Sequence, residues 1–239
     1  MVARRSGEIP VLIFDLDGTI LAVNSFPHWA AYVARGCFPH LGLGRRARIA
    51  SAAIALLGLR KLGLCDHETL KRRLQHLWQS ATLDDGGACE LNFIGGLSRH
   101  VRPELKPILA AVAAGKVDAV LATAAAADYA DALGRSLGFA DVLATPRSRR
   151  PSEPSNRGEH KRDSVMTLLR ARGWQDRPRA VFTDHADDLP LIRLCQTLYW
   201  FGTARDLAAI EAMLPELRVF AGLPRDDALA MPLPEAACG

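Results

Sequence analysis

Asp15 and Asp17 stand in the run Val11-Leu12-Ile13-Phe14-Asp15-Leu16-Asp17-Gly18-Thr19, a spacing suited to moving a phosphoryl group. A carboxylate can attack phosphorus and form an acyl phosphate, which divides one hard step into two easier ones. Asp15 directly follows four apolar residues, so its carboxylate is expected at the end of a rigid element, as the nucleophile. Asp17 is then in reach of a leaving-group oxygen, as general acid and afterwards as base for water. Gly18 permits the tight turn this needs, and Thr19 can offer a hydroxyl or a backbone N–H to phosphate. Thr123 is expected to close a strand and open a helix, where its hydroxyl and the following N–H can hold a phosphate oxygen. Lys161 opens a later helix and supplies a point charge that offsets developing phosphoryl charge and steadies Asp15. Crowded carboxylates repel one another, and a divalent cation relieves that cost. Mg2+ takes oxygen ligands and keeps several waters. Asp15 and Asp184 are its natural pair, Asp17 adds its main-chain carbonyl, and Asp188 is expected to ligate directly or through water.

Short apolar runs must position these groups. Val11 to Phe14 ends at Asp15, Val117 to Ala122 at Thr123, Asp141 to Ala144 at Thr145, Ala180 to Phe182 at Thr183-Asp184, and Thr197 to Trp200 at Phe201-Gly202. Continuous apolarity over so few residues predicts strands buried on both faces, as in a parallel sheet. Helical patterns over Pro103 to Ala114, Ala125 to Leu137, Lys161 to Arg172, Leu189 to Cys195 and Ala204 to Met213 alternate with them. The expected fold is α/β, a Rossmann-like parallel sheet core flanked by helices. In such a sheet ligands bind outside the carboxyl ends of the strands, which is where the polar candidates fall. Residues 22–97 break the alternation and read as helix after helix, an insert directly after the first strand. The expected division is therefore 1–21 with 98–239 as the core and 22–97 as a helical domain.

With 49% apolar residues the chain can bury a core, and its formal charge of +4 does not call for nucleic acid. Its five cysteines are widely spaced without a C-x-x-C pair, so neither a disulfide framework nor a zinc site is indicated, and a reducing cytoplasm is expected. The apolar run from Ile49 to Leu59 is too short to span a bilayer. Arg45, Arg46, Arg48, Arg60 and Lys61 around it would suit an interfacial helix, but a buried helix with solvated ends is the expectation. Arg147 to Gly158, rich in Pro, Ser and Arg, reads as a solvated loop.

FDLDGT, the Thr123 strand end, GEHK and TDHADDLP resemble, in order, the four motifs of the haloacid dehalogenase-like superfamily. The insert after the first motif resembles the C1 type of cap, and GEHK with DHADDLPLI resembles the phosphoserine-phosphatase-like branch. The resemblance, over roughly residues 10 to 200, implies Mg2+, an aspartyl-phosphate intermediate and a cap that selects the substrate. By that match Asp15 is the nucleophile, Asp17 the acid/base, Thr123 and Lys161 the phosphate ligands and Asp184 the metal ligand. His185 replaces the usual serine, Ala124 to Ala127 replaces a Ser-Gly-Gly type, and Asn24 stands where the branch often has an acid. The expected activity is hydrolysis of a small phosphomonoester, with a small phosphorylated metabolite as partner, no nucleic acid and no stable membrane insertion. Rival readings are a phosphotransferase or mutase of the same fold, a lipid-phosphate enzyme docked through the basic apolar helix, and a non-catalytic phospholigand-binding protein.

Overall fold

The computed structural model describes residues 10–147 and 154–223. Arg4, Arg5, residues 148–153 of the Pro/Ser/Arg-rich segment and Cys238 lie outside the described residues. The strands are β1 (Val11–Phe14), β2 (Ala119–Ala126), β3 (Asp141–Thr145), β4 (Arg179–Thr183), β5 (Thr197–Trp200) and β6 (Arg218–Ala221). They form one sheet in the order β3-β2-β1-β4-β5-β6, and every pairing is parallel. The chain winds outward from β1 to one edge and then returns to wind outward from β4 to the other. The reversal between β1 and β4 opens a crevice at the carboxyl ends of these two strands.

Alternate residues of β1 feed different cores, because side chains of a strand point to opposite faces. Leu12 and Phe14 join Phe182 of β4 and Tyr199 of β5 on one face. Val11 and Ile13 join Val120, Val181 and Leu198 on the other. On the first face the aromatic rings form a ladder: Phe14 stacks on Phe182 at 4.2 Å, Phe182 on Tyr199 at 4.3 Å, and Tyr199 on Phe220 of β6 at 5.1 Å. The second face is covered by α7 (Glu159–Ala171), α8 (Leu189–Ile192) and α9 (Ala204–Met213), through Val165, Leu169, Ile192 and Ile210.

Five α-helices lie between β1 and β2, and the first four form the insert: α1 (Ser25–Ala34), α2 (Leu43–Lys61), α3 (His67–Thr82) and α4 (Ala88–Leu97). Asn24 caps α1 by accepting the Phe26 N–H, and Asp66 caps α3 by accepting the Thr69 N–H at 2.8 Å; each cap stabilises its helix by about 1 kcal/mol. Leu70, Leu74, Trp78 and Ala81 recur at helical spacing and form the buried stripe of α3. The four helices share one hydrophobic cluster with the sheet. The join is aromatic: Trp29 of α1 and Phe93 of α4 meet Tyr129 of α6 (Ala127–Ser136) at 5.4 and 5.2 Å. The remaining helix, α5 (Lys106–Ala113), leads into β2.

Several expected boundaries move. The ladder between β2 and β3 resumes at Ala126 opposite Thr145 after an irregularity, so β2 extends through Thr123 to Ala126 and α6 starts only at Ala127. Four successive alanines carry no turn signal, and pairing with β3 overrides their helix propensity. Leu189 to Cys195 shrinks to the single turn of α8, preceded by a 3-10 turn over Ala186–Asp188. β6 was not anticipated; it is a four-residue edge strand whose ends are exposed, with little pattern to detect. α2 is not the buried helix expected from its apolar run. Ile49, Ala53 and Leu56 are buried, while Ile54 is 58% exposed. A helix that is apolar all round meets its neighbours along one stripe only, and the other faces stay in solvent. No helix among the described residues is long and apolar enough to cross a membrane.

Candidate active site

A cleft of about 390 Å³ opens at the carboxyl ends of β1 and β4. Asp15, Asp17, Lys161, Asp184 and Asp188 line it, so the structure brings together groups separated by up to 173 positions in the chain. Lys161, in the first turn of α7, is 2% exposed. Its ammonium donates to Asp15 Oδ1 at 2.8 Å and to both Asp188 oxygens at 2.9 and 2.8 Å. Burial by itself would lower the lysine pKa, but the Asp15 and Asp188 charges outweigh it and hold the group above its usual value. Burial pushes the Asp15 carboxyl up to about 7, against the pull of Lys161 and with the added push of Asp188 and Asp17. Burial also raises Asp17, which is steadied by the Ser25 N–H at 2.9 Å, and it raises Asp184.

Two close approaches shape the floor. Gly18 has φ +70°, and a Cβ there would lie 1.9 Å from Asp184 Oδ2. Only a glycine lets the β1 turn pass this close to the Asp184 carboxylate. A Cβ on Gly202 would lie 2.0 Å from the Asp184 carbonyl, which closes the other side. Arg102 donates to the Gly18 carbonyl at 3.0 Å and lies over the Phe201 ring, tying the turn to the segment that enters α5.

The remaining expected site residues sit differently. Asp188 is taken up by Lys161 and by the Thr183 hydroxyl at 2.6 Å. With three hydrogen bonds on one carboxylate, two from Lys161 and one from Thr183, it anchors the lysine while still lining the cleft. Thr19 is fully buried and its hydroxyl donates to Asp184 Oδ1 at 3.4 Å, so it positions a carboxylate and is absent from the cleft wall. The Thr123 hydroxyl accepts the Ala125 N–H at 3.1 Å, and Ala124, Ala125 and Ala126 line the cleft in its place. Thr123 thus sets the backbone of that wall.

The donor chemistry fits a hard divalent cation. Six carboxylates line the cleft (Asp15, Asp17, Glu68, Asp184, Asp187 and Asp188) against three cationic side chains, Lys71, Arg157 and Lys161. Arg157 pairs with Asp187, Lys71 with Glu68, and Lys161 with Asp15 and Asp188. Asp17 and Asp184 have no cationic side chain in ion-pair contact among the described residues, and burial raises both. Oxygen-only donors with surplus negative charge are what Mg2+ prefers.

Helix α3 contributes a wall that sequence reasoning did not find. His67, Glu68 and Lys71 face the sheet edge, and Lys71, 5% exposed, donates to the Ala124 carbonyl at 3.2 Å and to Ser155 at 2.9 Å. The Ser25 hydroxyl and Tyr129 share a hydrogen bond of 2.7 Å behind Asp17. Asn156 bridges the Thr123 and Leu143 carbonyls at 3.1 and 2.7 Å. None of these has a local sequence signal, because each partner lies on a distant element. Asn24 is the exception: its place before α1 is a helix-cap signal.

A parallel sheet with its carboxylates gathered at the strand-order reversal defines a Rossmann-like α/β scaffold with an acidic cleft. The family model for haloacid dehalogenase-like hydrolases matches residues 12–193, and the chain belongs to that family. No curated protein matches the chain in sequence. Among solved structures it is similar to a protein of unknown function from Bordetella pertussis Tohama I, with TM-score 0.69, 18% identity, and 90% of this chain and 99% of that one covered. It is also similar to a probable phosphoserine phosphatase from Vibrio cholerae in unliganded form, with TM-score 0.55, 15% identity and coverage of 90% and 62%. A phosphoserine phosphatase in the form of a phospho-aspartyl intermediate analogue matches with TM-score 0.50, 9% identity and coverage of 89% and 93%. At these identities the likeness is one of fold.

Proposed function

We propose that this hydrolase is a Mg2+-dependent phosphatase that cleaves a small phosphomonoester through an aspartyl-phosphate on Asp15. The observation that carries the reading is the buried Lys161 ammonium 2.8 Å from a carboxylate at the end of β1, inside an acidic cleft. Asp15 and Asp184 would hold Mg2+ with the Asp17 carbonyl, and the ion supplies charge neutralisation of the phosphate and of the crowded carboxylates. Asp15 attacks phosphorus while Lys161, fixed from behind by Asp188, keeps its orientation and offsets charge on the phosphoryl oxygens. Asp17, its carboxyl raised by burial, carries a proton for the leaving oxygen and then takes one from the water that opens the acyl phosphate. The Ala124 to Ala126 segment, its backbone set by the Ala125 N–H bond to Thr123, forms the opposite wall of the phosphate site. The α1 to α4 insert acts as a cap over the cleft, and His67, Glu68 and Lys71 meet the part of the substrate beyond its phosphate. The solved phosphoserine phosphatase with a phospho-aspartyl analogue supports the covalent route by fold likeness.

Turnover of an aryl phosphate in 18O-labelled water with Mg2+ tests the reading. One label per phosphate released, dependent on Mg2+ and lost in Asp15→Asn, is expected. Release of the phenol without labelled phosphate, the phosphoryl group appearing on an added alcohol acceptor, would move the reaction to a transferase, and no turnover of any phosphomonoester in a metabolite panel would remove the enzyme reading.

A further inference from the structure

At the end of the helical insert, His40, Asp85 and Cys89 place one nitrogen, one oxygen and one sulfur within 4.8 Å of one another. His40 lies in the connection from α1 to α2, Asp85 in the connection from α3 to α4, and Cys89 in the first turn of α4. None of the three lines the phosphate cleft. We propose that they form a binding site for a zinc-class divalent cation.

The ring of His40 is oriented as a ligand would be. Its Nε2 lies 2.7 Å from the Ala81 carbonyl, which can only accept, so Nε2 carries the proton. Nδ1 is then the lone-pair nitrogen, and it faces Cys89 Sγ at 3.7 Å. A histidine that donates its second N–H to a carbonyl is the usual arrangement behind a metal. Bond lengths of about 2.3 Å to sulfur and 2.0 to 2.1 Å to nitrogen, at a tetrahedral angle, put the two donors about 3.6 Å apart. The observed separation matches that span without any rearrangement.

Asp85 is fixed as firmly. Its Oδ1 accepts the Gly87 N–H and its Oδ2 the Cys89 N–H, both at 2.9 Å. Each oxygen keeps a further lone pair. Cys89 is 1% exposed while His40 is exposed, so the thiol lies at the base of a site open to solvent on one side. Burial and the neighbouring Asp85 carboxylate push the Cys89 thiol up to about 12, so an entering cation has to displace its proton. Water supplies the fourth donor, and the Cys37 carbonyl lies 3.9 Å from Cys89 Sγ. Mixed sulfur, nitrogen and oxygen donors select zinc over Mg2+, which takes oxygen. Coordination forms the metal–sulfur bond as the Cys89 thiol passes its proton to solvent. The ion would staple the α1–α2 connection to the α3–α4 connection, holding one end of the insert closed.

The test uses the full chain, stripped with a chelator and titrated with Zn2+ and with Co2+ in excess Mg2+. Expected are one equivalent of tightly held zinc and, for Co2+, a thiolate-to-metal charge-transfer band. The phosphate cleft cannot give that band, because no cysteine is among the residues that line it. Cys89→Ser and His40→Gln should each weaken Zn2+ binding at least about tenfold, and Cys89→Ser should abolish the band. Absence of the band in the unsubstituted chain, or zinc binding unchanged in both variants, overturns the proposal. If those variants do not fold, the Co2+ spectrum of a chain carrying Cys65→Ser, Cys195→Ser and Cys238→Ser decides: a retained band supports the site and a lost band rejects it. This result is independent of whether Asp15 is a nucleophile.

Discussion

The sheet and the four helices inserted after β1 bury apolar surface in different ways. β1 is buried along its whole length, between one core fed by Leu12 and Phe14 and another fed by Val11 and Ile13. The inserted helices bury one stripe each, and Leu43, Ile54, Leu62, Leu64, Leu83 and Leu91 remain largely exposed there. Outside the insert, Met213 is the large apolar side chain left exposed among the described residues. A strand clamped on both faces can hold mutually repelling carboxylates in place. A helix held on one stripe can tolerate change on its other faces, and its inner polar residues reach across to the core: Lys71 to the Ala124 carbonyl of β2 and Gln75 to Asp128 of α6. The sheet therefore holds its carboxylates rigidly, while the insert leaves more of its surface free to change.

The largest expected effect breaks the sheet edge. Asp15→Asn should lower phosphatase turnover about 10^4-fold, equivalent to about 5 kcal/mol of barrier, with the fold intact by circular dichroism. On the insert side, Trp78→Ala removes a buried ring that meets Trp29, Tyr32, Phe38 and Phe93. It should cost about 3 to 5 kcal/mol in urea unfolding. A loss below about 1 kcal/mol there would show that the insert does not share the core. Gly18→Ala forces a methyl into the Asp184 carboxylate and should cost about 2 kcal/mol or more in stability. It should also weaken Mg2+ binding, read by calorimetry.

A gentler probe is pH. Asp15 is pushed from an ordinary 3.8 up to about 7, so the folded state holds a proton that the unfolded chain releases at lower pH. In metal-free protein this contribution to stability is complete below about pH 4 and is lost as pH rises to about 7. Mg2+ favours the ionised carboxylates, so its stabilising effect should grow over the same interval, read as the difference in Tm with and without the ion. A difference that shrinks with rising pH would contradict the arrangement of charges at the sheet edge. Smallest of all, Ile54→Ser on the exposed face of α2 should change stability by no more than about 0.5 kcal/mol.

Five of the six strands and the run of inserted helices were legible from local pattern, because a continuous apolar run and a helical stripe are properties of neighbouring residues. The exceptions are instructive. The boundary after Thr123 slipped because four alanines give no turn signal, and the pairing with β3 that prolongs β2 is a long-range event. β6 escaped because an edge strand that leaves its side chains partly in solvent has little pattern to read.

Within the cleft, the identities and order of Asp15, Asp17, Lys161 and Asp184 follow from residue type at strand and helix ends, which the chain states by itself. What each polar group is bonded to is another matter. Asp188 holding Lys161, Thr19 holding Asp184, Ser25 meeting Tyr129, and His40 facing Cys89 are all contacts between elements far apart in sequence. A side chain's partner depends on where folding delivers the other element, and no spacing along the chain encodes that distance.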